Sequence, residues 1–253
     1  MIKATILGCG TSGGVPRAPL QWGACDPNNP KNQRSRASLH INWDGLSIII
    51  DTSPDLRQQA LTNQIERIDA VLYTHDHADH CHGIDDLRGY FIAQGQPIPT
   101  YGDEATMDVI SKRFDYVFQG APGYPPVCTS NVIVPGTFDI AGRDIIAFEQ
   151  QHGDIKSLGF RFGNIAYSTD LNALDDTAFQ ALSGVKVWIV DALRYKPHPT
   201  HPHLDQTLKW IEQVKPERAI LTHMTWELDF ETLKSELPEG VEPAFDGMSV
   251  TVD

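Results

Sequence analysis

Thr74-His75-Asp76-His77-Ala78-Asp79-His80 follows directly on the apolar run Ala70-Val71-Leu72-Tyr73. His75, His77, Asp79 and His80 are four candidate metal ligands in one short string. Mixed imidazole and carboxylate donors suit zinc, manganese or iron. On an extended segment His75 and His77 point the same way, and the turn that follows can carry Asp79 and His80 round to a second position. One ion does not readily take all four, so the spacing suggests two ions side by side. A solvated polar turn is the plain alternative. It is disfavoured because such crowded groups repel one another once protonated and gain nothing without a metal.

Two other stretches bear on chemistry. In Leu7-Gly8-Cys9-Gly10-Thr11-Ser12-Gly13-Gly14-Val15-Pro16, glycines let the backbone N–H groups around Ser12, Gly13 and Gly14 approach an anion closely. The same composition also makes an ordinary tight turn. The segment Asp191–Asp205 holds His198, His201 and His203 close to Arg194, Tyr195 and Lys196. Histidines there serve either proton transfer or plain loop and capping roles.

These residues need elements to position them. Short β-branched runs predict strands over Ile2–Leu7, Ser38–Trp43, Ser47–Asp51, Ala70–Thr74, Val132–Val134, Asp144–Glu149, Gly159–Phe162, Ile165–Ser168, Val185–Val190, Arg218–Thr222 and Ser249–Val252. Helices are predicted to start near Pro54, Ile84, Asp103, Asp175, Leu204 and Phe230, several at the Asp or Pro that suits a first turn. Asp44-Gly45 marks a hairpin, and Gln119–Pro126 a surface loop. The pattern implies an α/β (α+β) chain, with two mixed sheets face to face and helices outside. No stretch reads as a linker, so residues 1–253 are expected to form one domain.

Composition narrows the classes. The chain has 253 residues, 20 Lys plus Arg against 33 Asp plus Glu, and a formal charge of −13. That balance disfavours a stable nucleic-acid complex, which needs a basic footprint. It permits a local cation site. Hydrophobic residues make up 41% of the chain, enough for a core. No apolar run suits a membrane span or a signal peptide. Four scattered cysteines without a CxxC pair point to a reduced, cytoplasmic setting.

The His75–His80 string resembles the signature of the metallo-β-lactamase-fold hydrolases, and the resemblance runs over nearly the whole chain. It implies an αββα four-layer sandwich and two divalent ions, zinc or manganese, or alternatively iron. It also implies three later ligands from strand ends, matched by His152, Asp170 and His223. By this likeness His75, His77 and His152 hold one ion, Asp79, His80 and His223 hold the other, and Asp170 bridges. Asp51 matches an Asp that supports the ligands from behind. The reaction class implied is hydrolysis of a polarised ester by a hydroxide shared between the ions.

The Gly-rich opening loop is similar to that of two branches, the tRNA 3′-processing endonucleases and the cyclic phosphodiesterases of phosphonate breakdown. These branches place a proton-donating His before the helix that begins here at Leu204. His201 takes that position and His203 is the runner-up. The resemblance is closest to the phosphoribosyl cyclic phosphodiesterases. It implies a phosphodiesterase for small cyclic or nucleotide-like substrates, with His201 and Asp79 catalytic and Ser12, Gly13, Gly14, Arg194, His201 and His203 at the substrate. A homodimer is compatible with it. The alternatives are a thioesterase or lactonase, a tRNA nuclease, or a non-catalytic nucleotide sensor.

One departure stands out. The branch carries a cysteine cluster after its opening loop, joined to a late His around a structural zinc. Here only Cys25 remains, and Trp226 takes the place of the His, so no structural zinc is expected. Arg34 and Arg36 are read as contacts for a substrate phosphate or as surface ion pairs. Asp85, Asp86 and Arg88 are read as support for the ligands or as helix-end charges.

Overall fold

A computed structural model describes residues 1–253. Its fourteen strands form two seven-stranded sheets. The first contains β1 (Ile2–Gly8), β2 (Ser38–Trp43), β3 (Leu46–Ile50), β4 (Ala70–Leu72), β5 (Ile98–Gly102), β6 (Cys128–Val132) and β14 (Ser249–Val252), in the order β14-β1-β2-β3-β4-β5-β6. The second contains β7 (Gly136–Ile140), β8 (Arg143–His152), β9 (Ile155–Phe162), β10 (Ile165–Ser168), β11 (Val187–Asp191), β12 (Arg218–Thr222) and β13 (Val241–Pro243), in the order β13-β12-β11-β10-β9-β8-β7. The helices are α1 (Leu56–Thr62), α2 (Ala78–Cys81), α3 (Leu87–Gln94), α4 (Glu104–Arg113), α5 (Asp115–Phe118), α6 (Asp176–Leu182), α7 (Leu204–Val214) and α8 (Phe230–Glu236).

Strand alternation explains the layers. In β3, Ile48 and Ile50 join a core shared with the second sheet, while Ile49 between them joins the core under α1, α3 and α4. In β4, Ala70 and Leu72 face the sheet–sheet core and Val71 faces the helices. The central strand β11 is buried at every position, as expected of a parallel strand covered on both faces. The two mixed sheets with flanking helices are the αββα sandwich the sequence implies.

Each sheet is antiparallel on one side and parallel on the other. Strands β3 to β6 are parallel, as are β10 to β13. Side chains just beyond the carboxyl ends of parallel strands converge on the crevice where ligands of open α/β sheets collect. Asp51 follows β3, Asp170 follows β10, Asp191 ends β11 and His223 follows β12.

The differences from the sequence reading are local. Strand β6 runs over Cys128–Val132 where Val132–Val134 was expected, and β5, β7 and β13 are additional. Each of these has weak strand character: Pro99 interrupts β5, β7 is a largely exposed edge, and β13 has only three residues.

Arg34 does not reach the crevice. It is 2% exposed, and its Nη1 and Nη2 donate to the carbonyls of Thr225 (3.0 Å) and Leu228 (2.6 Å). Asn32 Nδ2 donates to Asp229 at 2.6 Å, and Cys25 Sγ lies 3.4 Å from the Trp226 carbonyl. A buried guanidinium thus fastens the opening segment to the loop after β12. Arg36 forms an ion pair with Asp55, as one of the two readings held. Arg88 lies 3.8 Å from Asp85 on the surface, an i,i+3 pair.

Candidate metal centre

His75 and His77 follow β4, His77 on extended backbone, and α2 then carries Asp79 and His80 round. His152 ends β8. Three site residues, Asp51, Asp170 and His223, have φ of +63°, +52° and +55°. Non-glycine residues enter that region at a cost, and such strain is characteristic of positions where function dictates the geometry. Gly83, after α2, has no room for a side chain: a Cβ there would sit 2.0 Å from the Ser53 carbonyl. This close approach seats α2 against the loop that carries Asp51.

Asp170 is the hub. Its Oδ2 lies 3.7 Å from Nε2 of both His75 and His152. Its Oδ1 lies 3.1 Å from His80 Nε2 and 3.2 Å from His223 Nε2. Asp79 Oδ2 lies 3.4 Å from His80 Nε2 and 3.7 Å from His223 Nε2. Two groups of donors result, His75-His77-His152-Asp170 and Asp79-His80-His223, each with ligand atoms within 4.8 Å of one another. A third group joins Asp170, Asp191, His201 and His223.

The ring orientations are fixed from behind. His75 Nδ1 is 2.9 Å from Thr74 Oγ1, which donates to Asp51 Oδ2 at 2.8 Å. His80 Nδ1 is 2.7 Å from the same Asp51 oxygen, and the Thr74 amide donates to Asp51 Oδ1. His152 Nδ1 donates to the Thr200 carbonyl at 2.8 Å, and His201 Nδ1 meets Asp191 Oδ2 at 2.9 Å. In these four rings the Nδ1–H is used by an acceptor of the protein, so Nε2 is the atom left facing the centre; His223 Nδ1 has no hydrogen-bonded partner and lies 3.7 Å from Asp191 Oδ2.

These inward atoms fit divalent ions. Nε2 of His75, His80 and His223 is buried without a hydrogen-bonded partner, which is costly for a polar group unless a ligand completes it. Burial and the charge on nearby His80 hold His75 well below its ordinary pKa, keeping a lone pair on Nε2. His80 and His223 take protons instead. Burial opposes this, but Asp170 with Asp79 outweighs it at His80, and Asp170 with Asp191 lifts His223 to about 9. Those protons occupy, electrostatically, the place of a bound cation.

Replacing Asp51 by asparagine, which tolerates the same backbone, removes the carboxylate from three donors. Apparent metal affinity is expected to fall about 10–100-fold in chelator competition, and an unchanged affinity contradicts the supporting role.

A cavity of about 260 Å³ opens over the cluster, lined among others by Ser12, His77, Asp79, Thr200 and His201. Gly13, Gly14 and Arg194 line an adjoining cavity. His203 lies in neither; it precedes α7, and its carbonyl accepts the Gln206 and Thr207 amides. Asp191 went unnoticed in the sequence. Its one legible signal was an acidic residue closing an apolar strand, as at the other site positions.

Residues 47–224 match the family model of the β-lactamase superfamily domain. The solved structure of a new diphosphatase from the PhnP family shares 34% identity, with a TM-score of 0.93 over 100% of this chain and 98% of that one. An octanoyltransferase of Porphyromonas gingivalis is 32% identical over 257 residues, spanning 100% of this chain and 52% of that protein. A ribonuclease Z of Bradyrhizobium diazoefficiens is 27% identical over 137 residues, spanning 53% of this chain and 46% of that protein. The chain therefore spans about half the length of the curated relatives it matches. The match to the family model, joined to the αββα sandwich, shows that the chain belongs to the metallo-β-lactamase superfamily of metal-dependent hydrolases.

Proposed function

We propose that the chain is a phosphodiesterase with two metal sites, acting on a small phosphodiester in the cytoplasm. The observation that carries the reading is the division of Asp170, whose two oxygens face two separate groups of imidazoles. His75, His77 and His152 hold one site, Asp79, His80 and His223 the other, and Asp170 serves both. Two divalent ions bound there supply Lewis-acid neutralisation of phosphoryl charge and a water of lowered pKa.

The chain's own residues do the rest. Asp191 accepts the Nδ1–H of His201 and turns Nε2 towards the cluster, 3.8 Å from Asp170 Oδ2. A proton held at that Nε2 is placed to pass to the departing oxygen. His201 is stacked on His223 at 4.9 Å, so the donor stands against the wall of the metal cluster. The diphosphatase and ribonuclease Z names of the relatives support cleavage at phosphorus over an acyl ester. The net charge of −13 supports a small substrate over a polynucleotide. All four cysteines are buried and free, in keeping with a reducing compartment, and no helix is long and apolar enough to cross a membrane.

The test is paired turnover by metal-loaded protein. Bis(4-nitrophenyl) phosphate is expected to be hydrolysed with a kcat/KM at least tenfold above that of an acyl thioester, and a chelator is expected to abolish it. The reverse order of preference identifies a thioesterase. Turnover of neither substrate removes the hydrolytic reading.

A further inference from the structure

Asp246 lies in the loop between β13 and β14 and draws donors from two distant segments. Its Oδ1 accepts the Cys9 amide at 3.0 Å and Cys9 Sγ at 3.4 Å. Its Oδ2 accepts the Ser35 amide at 2.7 Å and Ser35 Oγ at 2.6 Å. Cys9 follows β1 and Ser35 precedes β2, so one carboxylate ties the last loop of the chain to the opening loop. None of these donors is a cation. Burial pushes the Asp246 carboxyl up to about 6, against the pull of the bonds from Ser35 and Cys9, so it is still an anion at neutral pH. A buried carboxylate without a cation is costly, but its bonds from backbone amides are short and directional.

This brace ends beside a metal-ligand position. The Cys9 carbonyl accepts the Met224 amide at 2.9 Å, and the Met224 carbonyl accepts the Thr11 amide at 3.3 Å. Gly10 donates to the Ser35 carbonyl at 2.8 Å, and a Cβ on Gly10 would lie 2.9 Å from that oxygen. The strip Cys9–Thr11 is therefore held between Ser35 and Met224 with little room to shift. Met224 is fully buried and directly follows His223, whose φ is +55°. A non-glycine residue keeps such a backbone only where its surroundings hold it there.

His223 needs this support more than the other buried imidazoles of the cluster. His75 and His80 are aligned through Nδ1 by Thr74 and Asp51, and His152 by the Thr200 carbonyl. His223 Nδ1 has no hydrogen-bonded partner, and Asp191 Oδ2 stands 3.7 Å away. Its ring takes its place from its own backbone and from stacking on His80 and His201.

We infer that Asp246 is a positioning residue for the donor group Asp79-His80-His223, acting through Cys9 and the Met224 amide on the backbone that carries His223. The inference rests on the two-site reading above. Asp246 does not border the cavity over the cluster. None of the bonds in the brace involves the segments that carry His75, His77 and His152, so loss of Asp246 is felt at one site and spared at the other.

The test is a Zn²⁺ titration of the whole metal-free chain at neutral pH, with the histidine ring nitrogens isotopically labelled and followed by NMR so that each site is read separately. In Asp246→Asn the side-chain NH2 must face donors that the carboxylate accepted. The affinity read at His80 and His223 is expected to fall about tenfold, while that read at His75 and His152 stays within about twofold of wild type. Ser35→Ala keeps the carboxylate and removes one donor, and is expected to give a smaller loss at the same site. Asp69→Asn sets the size of a merely structural effect: Asp69 accepts the Ser47 amide at 2.9 Å and Arg67 Nε at 2.6 Å, at the end of β4 away from the ligand string. It is expected to lower Tm without separating the two sites. Equal losses at both sites in Asp246→Asn, or no loss at either, overturn the inference, as does the same one-sided loss in Asp69→Asn. If Asp246→Asn does not fold, the absence of a one-sided loss in Ser35→Ala overturns it. A wild type that takes up a single ion sinks the two-site reading together with the inference, whereas two ions and an unselective Asp246→Asn sink the inference alone.

Discussion

His201→Ala is expected to lower kcat by about 10²–10⁴-fold on a phosphodiester with an alkoxide leaving group, with two ions still bound per chain. The size follows from what the side chain can hold. Asp191 takes the Nδ1–H at 2.9 Å, so the ring has one direction, and the second proton of its imidazolium form sits on Nε2, facing the cavity. An alkoxide leaving group needs a proton as its bond to phosphorus breaks, and in its absence the negative charge develops unrelieved. The loss should shrink sharply with 4-nitrophenolate, a stable anion that leaves without help. That dependence on the leaving group separates a proton donor from a general positioning residue, which would slow both substrates alike. Metal content makes a second separation. His201 also falls within one of the three groups of close donor atoms, with Asp170, Asp191 and His223. Loss of an ion from His201→Ala, measured by elemental analysis, would make it a ligand and end its role as the acid.

The same residue shows how far the sequence could be read. Metal-ligand types leave a trace because they follow apolar strands: His75–His80 after Ala70–Tyr73, Asp170 after Ile165–Ser168, His223 after Arg218–Thr222. The strand-end pattern is local, and the crevice it implies is common to parallel sheets. The partnership of His201 with Asp191 is not local. It depends on the loop 192–203 folding back so that the Leu193 amide meets the Pro202 carbonyl at 3.1 Å, which no spacing announces. The choice between His201 and His203 turns on one further fact, that His203 comes immediately before α7 and is held there by the helix's first turn. Arg34 is a stronger case. A sequence reading sees a basic residue near a candidate phosphate site. Its acceptors are carbonyls 191 and 194 residues away, and burial among them turns a prospective substrate contact into a clasp. Arg17 is the converse case: its guanidinium lies over the Trp226 ring, which arrives from the other end of the chain.

Asp170→Asn is expected to bring the metal content from two ions per chain to fewer than one, and to abolish turnover. Asparagine keeps the shape and accepts the left-handed backbone that Asp170 adopts, so the effect isolates the charge. Two opposing terms decide the outcome. In the wild type without ions, burial works against a proton on His223, but Asp170 and Asp191 raise its pKa to about 9. Ion binding must expel that proton, which costs about 3 kcal/mol at pH 7 for such a group. Removing Asp170 relieves part of this cost and so favours the metal. Against it stands the loss of the one carboxylate that faces both donor groups, at 3.1–3.7 Å from four imidazole nitrogens. Even a supporting group that never touches an ion is worth 10–100-fold in affinity, and Asp170 would be lost to both sites at once. The second term prevails. The sign of the pH dependence gives an independent check. Wild-type affinity should rise with pH up to about 9 as His223 gives up its proton, and the raised pKa of His80 acts in the same direction. In Asp170→Asn those pKa values fall, so whatever weak binding remains should become nearly flat over the same range. Full occupancy in the variant, or a wild-type affinity that declines as pH rises towards 9, would contradict the shared-carboxylate centre.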